Sequence, residues 1–357
     1  MLRLSGITRR YGDVCALERL SFEVPDNRYV ALLGASGSGK TTLLRLIAGF
    51  EEPDAGQVWL EGKRLDGVPT HERDVGFVFQ NFALFPHLNV FDNVAYGLRH
   101  RARNPLGSAS EIRDRTMAIL DLVGLKGFER RAVGAISGGQ RQRVALARTL
   151  VTEPRVVLLD EPLGALDANL RARMCEELRA IRERQGVTFL HVTGSETEAL
   201  VMGDEVAVLA EGRIVQAARP AELFALPGNA AAARHLNAWN ILSGRVRDGA
   251  LLTGTGSLAL PRPLPEGKPA QMAVRFDQID ICAPGQVPPG RDHFSARYVA
   301  GEFNGATALA FFQTDDGQLI QVTDHLSAPR LPVMTEGTDY ALHFAPGAAL
   351  VFEGAGA

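Results

Sequence analysis

The sequence predicts an α/β fold followed by a small all-β domain, and three features of the 357-residue chain support this prediction. Continuous apolar runs alternate with helical patterns in the first 220 or so residues, which is typical of a buried parallel sheet. A glycine-rich phosphate-loop pattern begins at Gly34, directly after one of these runs. From about residue 236 onward, glycine, proline and short strand-like segments replace the helical patterns.

The strand predictions rest on apolar runs that lack the alternation of a half-exposed strand. These runs lie at residues 29–33, 75–79, 155–159, 187–192 and 205–209. Helices are predicted at 111–123 and 168–184, where apolar side chains recur at helical spacing. The alternation of strands with helices predicts a mostly parallel sheet.

The C-terminal part of the chain is predicted to be rich in β-structure, with turn signals such as Asp316-Gly317 and Glu336-Gly337 between strands. The strand-like segments lie at 241–246, 273–281, 307–312, 318–322 and 340–344. The alanine-rich stretch 229–238 is the expected boundary. The sequence therefore predicts a first domain over 1–235 and a second over 236–357.

Composition and charge exclude several classes of protein. The net charge of −3 provides no broad basic field, so we expect no nucleic-acid partner. The three cysteines, Cys15, Cys175 and Cys282, are too far apart for a disulfide framework or a CxxC metal site, which favours a reducing compartment. No apolar run of about 18 residues and no signal-peptide pattern is present, so neither a transmembrane segment nor a leader is predicted.

Residues 34–41 match the P-loop pattern GxxxxGK[ST], and they lie between a predicted strand and a predicted helix, as the motif requires. Its glycines allow several backbone N–H groups to converge on phosphate oxygens at a helix N-terminus. The lysine adds a full positive charge at the β- and γ-phosphates, and the hydroxyl of Thr41 can bind Mg²⁺. The predicted nucleotide-binding residues are Gly34, Ser36, Gly37, Ser38, Gly39, Lys40, Thr41 and Thr42.

A second apolar run ends in the acidic pair Asp160-Glu161. Beside a P-loop, Asp160 is placed to hold Mg²⁺ through water, and Glu161 is placed to accept a proton from the attacking water. A solvated acidic pair at a strand end is the alternative interpretation. The residues therefore predict hydrolysis of a bound phosphate group, with Glu161 as the catalytic residue and Mg²⁺ as a requirement; the family resemblance described next implies that the nucleotide is ATP.

Residues 136–148, with the sequence ISGGQRQRVALAR, closely resemble the signature motif of ATP-binding cassette (ABC) proteins. Other segments fall in the family order: Tyr11, Gln80 after the run 75–79, and 163–167, which resembles the D-loop. The C-terminal part looks like the regulatory TOBE domain, an OB-like barrel, of importer ATPases. The chain thus resembles the ATP-binding subunit of bacterial importers for polyamines, ferric iron or sugars.

The resemblance implies a P-loop NTPase cassette with a helical signature subdomain at approximately 84–150, followed by an OB/TOBE-like domain. It also implies a head-to-tail homodimer in which one subunit contacts the nucleotide of the other. The residues expected to make this contact are Ser137, Gly138, Gly139, Gln140 and Asp167. Tyr11 would stack on adenine, although an aromatic side chain near a strand is more often part of a core. Gln80 would contact Mg²⁺ and the attacking water.

Further partners follow from the same resemblance. Two transmembrane permease subunits would bind the dimer through the segment 81–94, whose apolar and aromatic side chains are expected to form an exposed patch; a buried loop is the alternative interpretation. A periplasmic or extracellular solute-binding protein would act indirectly. The location would be the cytoplasmic face of the bacterial inner membrane, as a peripheral protein. Segment 81–94 and the C-terminal domain favour a spermidine/putrescine-type importer, with ferric iron, phosphonate or sugar importers as alternatives.

The chain departs from the family pattern at Gly194. The family usually has Thr-His-Asp at this point, with the histidine on the γ-phosphate, whereas this chain has Thr193-Gly194-Ser195. Three interpretations remain open: a slower ATPase that relies on Glu161 and the signature, replacement of the histidine by Ser195 or His191, or a dimerisation module with little hydrolysis. A soluble ABC ATPase acting on DNA or ribosomes and a P-loop kinase fit the charge and the signature less well.

Overall fold

The computed structural model describes residues 1–100, 108–164, 168–325, 327 and 332–354. Contacts divide the chain into two compact units, Met1–Ala225 and Leu226–Ala357. This division falls before the boundary expected from the sequence, because the short helix Ala230–His235 packs on strands of the second unit. The boundary between residues 235 and 236 stays a prediction.

Unit 1 combines strands and helices in alternation. Its strands are β1 (Leu2–Tyr11), β2 (Val14–Val24), β3 (Tyr29–Leu33), β4 (Ala55–Leu60), β5 (Lys63–Arg64), β6 (Val75–Val78), β7 (Val156–Asp160), β8 (Thr188–Thr193), β9 (Glu205–Ala210) and β10 (Arg213–Ala218). Its helices are α1 (Lys40–Ala48), α2 (Val90–His100), α3 (Ala109–Leu122), α4 (Gly138–Leu150), α5 (Ala168–Gln185), α6 (Glu196–Met202) and α7 (Pro220–Ala225). Short 3-10 turns lie at Thr70–Glu72 and Val133–Ala135. None of the helices in the described part of the chain is long and apolar enough to cross a membrane.

The predicted parallel sheet is confirmed. Over the described residues, its strand order is β10-β9-β3-β8-β7-β6, with parallel pairing from β9 to β6 and an antiparallel edge at β10. All five apolar runs of the sequence analysis are strands of this one sheet. A second sheet, β2-β1-β4-β5, is antiparallel. The fold is the predicted α/β cassette.

The core of unit 1 lies on both faces of the parallel sheet. Tyr29 of β3 packs with α2–α5 on one face, whereas Val30 and Leu32 pack with α1 and the antiparallel sheet on the other. This is why the strands are apolar without alternation. The predicted helices at 111–123 and 168–184 correspond to α3 and α5.

Helix α1 is fixed at both ends, which positions the loop that precedes it. It begins after Gly39 (φ 102°) and ends at Gly49 (φ 82°), and both glycines are left-handed. The buried guanidinium of Arg73 donates hydrogen bonds to the carbonyls of Leu46 and Ile47. These bonds add to the C-cap bond that the Gly49 amide donates to the carbonyl of Leu46, at the end of the helix where carbonyls lack regular helical partners.

Unit 2 is mainly antiparallel β-structure. Helix α8 (Ala230–His235) precedes the strands β11 (Trp239–Arg247), β12 (Ala250–Thr253), β13 (Gly256–Ala259), β14 (Pro269–Arg275), β15 (Asp280–Cys282), β16 (Asp292–Phe303), β17 (Thr307–Gln313), β18 (Leu319–His325), β19 (Asp339–Phe344) and β20 (Ala349–Glu353). Over the described residues, two sheets form, β13-β12-β11-β14-β20 and β15-β19-β16-β17-β18, around one apolar core. The all-β prediction for this part of the chain is confirmed.

One strand prediction in unit 2 is wrong. Residues 273–281 form two strands, separated by the 3-10 turn Phe276–Gln278. The Arg275 guanidinium pairs with both carboxylate oxygens of Asp277, at 2.6 and 2.9 Å, and the Phe276 amide donates to the carbonyl of Ala238. These contacts close a turn that the apolar pattern does not reveal.

Candidate functional site

The predicted phosphate loop, residues 34–39, connects the buried strand β3 to helix α1. Glycine is required at two of its positions because other backbone atoms approach closely. A Cβ on Gly34 would lie 2.6 Å from the carbonyl oxygen of Leu209, and one on Gly39 would lie 2.5 Å from that of Ala16. The first N–H groups of α1 lack intrahelical partners, so the end of this loop can bind an anion.

Lys40 places its charge directly over this loop. Its side chain is 5% exposed, and its Nζ donates hydrogen bonds to the carbonyls of Gly34 (2.8 Å) and Ala35 (3.0 Å). The same Nζ lies 3.7 Å from Oε1 of Glu161. The lysine therefore connects the loop to the acidic pair.

Thr41 and Asp160 form the second contact of the site. The hydroxyl of Thr41 donates to Oδ1 of Asp160 at 3.0 Å. Burial raises the pKa of Asp160, and this hydrogen bond opposes the rise. Hydroxyl and carboxylate oxygens side by side suit Mg²⁺, so this pair fits the metal that the resemblance implies.

Glu161 lies between Lys40 and Gln80. Its backbone is left-handed (φ 43°), and its amide donates to the carbonyl of Val192 at 3.1 Å. The Nε2 of Gln80 donates to its Oε2 at 3.2 Å. A non-glycine residue in this region of φ and ψ costs about 1–3 kcal/mol, and such residues cluster at active sites.

The loop after β8 lies against the P-loop, because the Gly34 amide donates to the carbonyl of Thr193 at 3.3 Å. Gly194 follows, and its φ lies outside the left-handed region. A Cβ built there has the carbonyl oxygen of Gly34 as its nearest neighbour, at 3.8 Å, an ordinary contact. Neither the backbone nor the space around it therefore requires glycine at this position.

His191 and Ser195, the two candidates to replace the missing histidine, are both engaged elsewhere. His191 is fully buried, with Nδ1 3.1 Å from the hydroxyl of Tyr29, and burial lowers its pKa to about 3. It therefore stays neutral inside the core. Ser195 is the N-cap of α6, and its hydroxyl accepts a hydrogen bond from the Glu198 amide.

The sequence analysis missed Glu198. Its side chain is 4% exposed, and its Oε2 accepts a 2.7 Å hydrogen bond from the hydroxyl of Thr193. Burial raises the pKa of Glu198, and the bond from Thr193 opposes the rise. The carboxylate thus holds the loop that carries Gly194. An acidic residue beside Ala199 on the buried face of α6 was the available signal.

The signature residues lie apart from this cluster. Ser137 is the N-cap of α4 and forms a reciprocal capping box with Gln140, and Gly138 and Gly139 are the first residues of the helix. The hydrogen bonds of Ser137 and Gln140 run within this box and not to the P-loop. Asp167 lies outside the described residues. The predicted contact in trans stays a prediction.

Tyr11 lies at the tip of the hairpin between β1 and β2. The Ala16 carbonyl of the same hairpin lies close to Gly39 of the P-loop, where a Cβ would be 2.5 Å from its oxygen. The ring is 44% exposed, and the guanidinium of Arg9 lies 4.8 Å from its centroid. The Tyr11 hydroxyl donates to Glu51. An exposed ring near the loop agrees with a stacking platform, which stays a prediction.

Segment 81–94 is less exposed than the sequence analysis expected. Phe82, Val90 and Val94 belong to the core of unit 1; helix α2 packs on α4 and carries the side chains of Val90 and Val94. An open cleft of 470 Å³ remains beside the segment. It is lined by Gln80, Asn81, Phe82, Leu84, Pro86 and Arg141, among others. The exposed part of the segment is thus its first half.

Comparison with known proteins agrees with this geometry. The sequence model of the ABC transporter family matches residues 17–164. The chain is 47% identical over 294 residues to the spermidine/putrescine import ATP-binding protein PotA of Rubrobacter xylanophilus, covering 80% of this chain and 77% of that protein. It is 44% identical over 280 residues to the sulfate/thiosulfate import ATP-binding protein CysA 1 of Chromobacterium violaceum, covering 78% of each.

A similar protein also has a solved structure. The dimeric ATP-binding cassette MJ0796, in a post-hydrolysis state with ADP and Pi bound, superposes with a TM-score of 0.55 at 30% sequence identity. The match covers 62% of this chain and 99% of the cassette. A second dimeric structure of the same bacterial ABC transporter cassette gives the same TM-score.

Proposed function

Because this chain belongs to the ABC transporter family, we propose that it is the subunit that binds and hydrolyses ATP to energise a solute importer. The observation that carries the proposal is the convergence of Lys40, Thr41 and the acidic pair Asp160-Glu161 at one loop. Lys40 and Thr41 begin helix α1, and the acidic pair ends strand β7, so the site lies where a strand of the parallel sheet ends beside the first turn of a helix. Such an arrangement supports phosphoryl chemistry by positioning and charge.

In the proposed mechanism, the N–H groups at the first turn of α1 and the ammonium of Lys40 bind the β- and γ-phosphates. Lys40 exchanges its bonds to the Gly34 and Ala35 carbonyls for phosphate oxygens. Thr41 and Asp160 would hold Mg²⁺, which neutralises charge on the phosphates when bound. The tyrosine platform at Tyr11 would stack on the base.

Hydrolysis requires a water in line with the γ-phosphate. Glu161 accepts the proton of this water, and the amide of Gln80 fixes its carboxylate through the 3.2 Å hydrogen bond. The neighbouring Thr193 loop supplies no side chain at Gly194. We therefore expect turnover that is slow but measurable, with Glu161 and the signature of a second subunit providing the positioning.

The proposal includes a homodimer in which Ser137, Gly138, Gly139 and Gln140 of one subunit contact the nucleotide of the other. The dimeric cassette at TM-score 0.55 supports this arrangement. We propose further that two permease subunits bind at the cleft beside residues 81–88, on the cytoplasmic face of a bacterial inner membrane. The N-terminal part of α4, with Arg141, lines the same cleft.

The cargo we propose is a polyamine of the spermidine/putrescine type. Relatives with that printed function match at 47% and 43% identity, the second from Pseudomonas aeruginosa. The sulfate/thiosulfate relative, at 44%, supports an anion importer as the second candidate. Uptake of radiolabelled spermidine and of sulfate by source cells with and without this chain separates the two. Loss of sulfate uptake alone would overturn the polyamine proposal.

The first experiment on catalysis measures Mg-ATP hydrolysis by the purified chain at several protein concentrations, beside Glu161→Gln. Turnover per chain that rises with concentration and disappears in the variant supports a dimeric ATPase. If neither protein hydrolyses ATP but both dimerise on it, the chain is either the dimerisation module prompted by Gly194 or an ATPase that acts only with its permease subunits. Repeating the assay with the permease subunits distinguishes these two cases. Absence of ATP binding would overturn the assignment of the P-loop.

A further inference from the structure

The last turn of helix α4 holds the chain on both sides of Gln80. Before it, the hydroxyl of Thr149 donates to the carbonyl of Phe77 at 3.2 Å. After it, the guanidinium of Arg148 donates to the carbonyls of Phe82 (2.9 Å, from Nη2) and Ala83 (2.7 Å, from Nη1). Two adjacent residues of one helix thus bracket the side chain that contacts Glu161.

The segment held by Arg148 is strained. Phe82 (φ 63°) and Ala83 (φ 44°) are consecutive non-glycine residues in the left-handed region. Such a backbone persists only where surrounding contacts determine it. The Phe82 amide also donates to the Phe79 carbonyl at 2.9 Å, which closes a tight turn around Gln80. This turn places the carbonyls of Phe82 and Ala83 side by side, so that both face the guanidinium of Arg148.

Arg148 is suited to this contact and is not a solvated surface charge. Burial lowers the pKa of its guanidinium, whose carbon lies 5.5 Å from the ring centroid of Phe85. The planar fork donates one N–H to each of two neighbouring carbonyls, which a lysine ammonium cannot match with the same geometry. Within the described residues, its hydrogen bonds go to the two carbonyls of the turn, and burial is the cause of its pKa shift. Its contacts are therefore directed at the turn.

We propose that Arg148 is a positioning residue that aligns Gln80 with Glu161 by holding the turn at Phe82 and Ala83. The proposal rests on the proposed function, since Glu161 is taken as the base. It extends that function by giving the signature helix a role at each end. Ser137 caps the N-terminus of helix α4 and Arg148 lies in its last turn, and the 13 residues of the helix span roughly 20 Å as one rigid rod.

A mechanical consequence follows from this rod. When Ser137 of one subunit engages the nucleotide of the other, any shift of α4 moves Arg148 and with it the turn that carries Gln80. Occupation of one nucleotide site is thereby communicated to the alignment of the second. The element that transmits this signal is a strained turn held by two hydrogen bonds, and removal of those bonds should uncouple it.

The test uses the full chain with Arg148→Met, Arg148→Lys, Gln80→Ala and the double variant Arg148→Met/Gln80→Ala. Arg184→Met is the matched control, since Arg184 is an exposed arginine in the last turn of α5. Two quantities are measured: kcat and KM for Mg-ATP, and hydrogen exchange of peptides that cover residues 79–85. The lysine variant keeps the charge and can bind one carbonyl, so it remains informative if the methionine variant folds poorly.

We expect Arg148→Met to lower kcat about tenfold or more with KM within about twofold of wild type, since a small misplacement of a positioned group costs much rate. Arg148→Lys should fall between it and wild type. In the Gln80→Ala background, Arg148→Met should have no further effect on kcat. Exchange over 79–85 should rise in Arg148→Met and stay unchanged in Arg184→Met.

Multiplicative effects of Gln80→Ala and Arg148→Met on kcat would overturn the proposal, because the two residues would then act independently. An unchanged kcat or a loss confined to KM would do the same. If wild type hydrolyses no ATP, alone or with its permease subunits, the proposed function fails, and hydrogen exchange over 79–85 then decides the role of Arg148. Unchanged exchange over 79–85 in Arg148→Met would overturn its role, and increased exchange would support it.

Discussion

Substitution of Gly194 by histidine is the most direct test of how this site works. The φ of Gly194 lies outside the left-handed region, and a Cβ there meets only the Gly34 carbonyl, at 3.8 Å. The same carbonyl accepts a hydrogen bond from Lys40 at 2.8 Å. A side chain at 194 therefore starts in ordinary contact with the P-loop, close to the charge that binds the γ-phosphate.

The expected magnitude follows from what one positioned donor contributes. Removal of a single donor that faces developing charge typically lowers kcat by about 10²–10³. The loop that carries residue 194 is already held by the Thr193–Glu198 hydrogen bond, so a histidine there should restore most of this factor in kcat. We expect Gly194→His to raise kcat about 10- to 100-fold, or ~1.4–2.7 kcal/mol in activation free energy. Stability should change by less than about 1 kcal/mol, because no left-handed φ is lost.

The assay measures kcat for Mg-ATP at a protein concentration that saturates dimerisation. Gly194→Ala is the control, since it adds the Cβ and removes the extra backbone freedom without adding a donor. A second control combines Gly194→His with Glu161→Gln and should be inactive. Equal rates for Gly194→His, Gly194→Ala and wild type would refute the reasoning. Another group would then already hold the γ-phosphate in line.

The remaining predictions concern binding, assembly and stability. Lys40→Ala should abolish binding of a fluorescent ATP analogue, and tight retained binding would contradict the P-loop assignment. Ser137→Arg should block ATP-driven dimerisation, measured by sedimentation. The affinity of the monomer for nucleotide should stay within about twofold, because Ser137 does not contact its own P-loop. An unchanged dimer would argue against the head-to-tail arrangement. Asn93→Ala removes four buried hydrogen bonds to Phe85, Leu88 and Asn89 and should cost about 2–4 kcal/mol in urea unfolding; a loss below about 1 kcal/mol would contradict this. His191 has a pKa of about 3 in the folded protein and 6.5 in the unfolded chain, so the unfolded state binds a proton first as the pH falls. The free energy of unfolding should therefore fall as the pH drops below 6.5, by about 2 kcal/mol at pH 5. His191→Phe should remove this loss, and an equal pH dependence of both proteins would contradict the burial of a neutral histidine.

The parallel sheet and the P-loop could be predicted because their signals are local. A strand buried on both faces is apolar throughout, as in 29–33 and 156–159, and the P-loop pattern is contiguous. The antiparallel sheet of unit 1 was missed. Strands β1 and β2 alternate between buried and exposed residues only over the short stretches Leu2–Ser5 and Leu20–Val24, because register shifts after Leu4, Ile7 and Arg9 interrupt the pattern.

The supporting residues of the site could not be predicted for a different reason. Arg148 contacts a turn that is distant in the sequence, and Glu198 contacts Thr193 from the buried face of α6. The sequence does not indicate in which direction either side chain points. The exposed patch expected at 81–94 was overestimated because Phe82, Val90 and Val94 are turned inward by tertiary contacts. The motif residues are recognisable from the chain alone, whereas the side chains that hold them become visible only after folding.

The strand order of unit 1 has a consequence for biosynthesis. Strand β3, which carries the P-loop at its end, pairs with β8 and β9, whose residues are about 160 positions later in the chain. At roughly 5–20 residues per second, a ribosome takes on the order of ten to thirty seconds to make that interval. The apolar strand 29–33 must wait unpaired for all of it. The nascent chain therefore cannot pair its P-loop strand until β8 and β9 have been synthesised, and β3 is an unpaired apolar segment during this time.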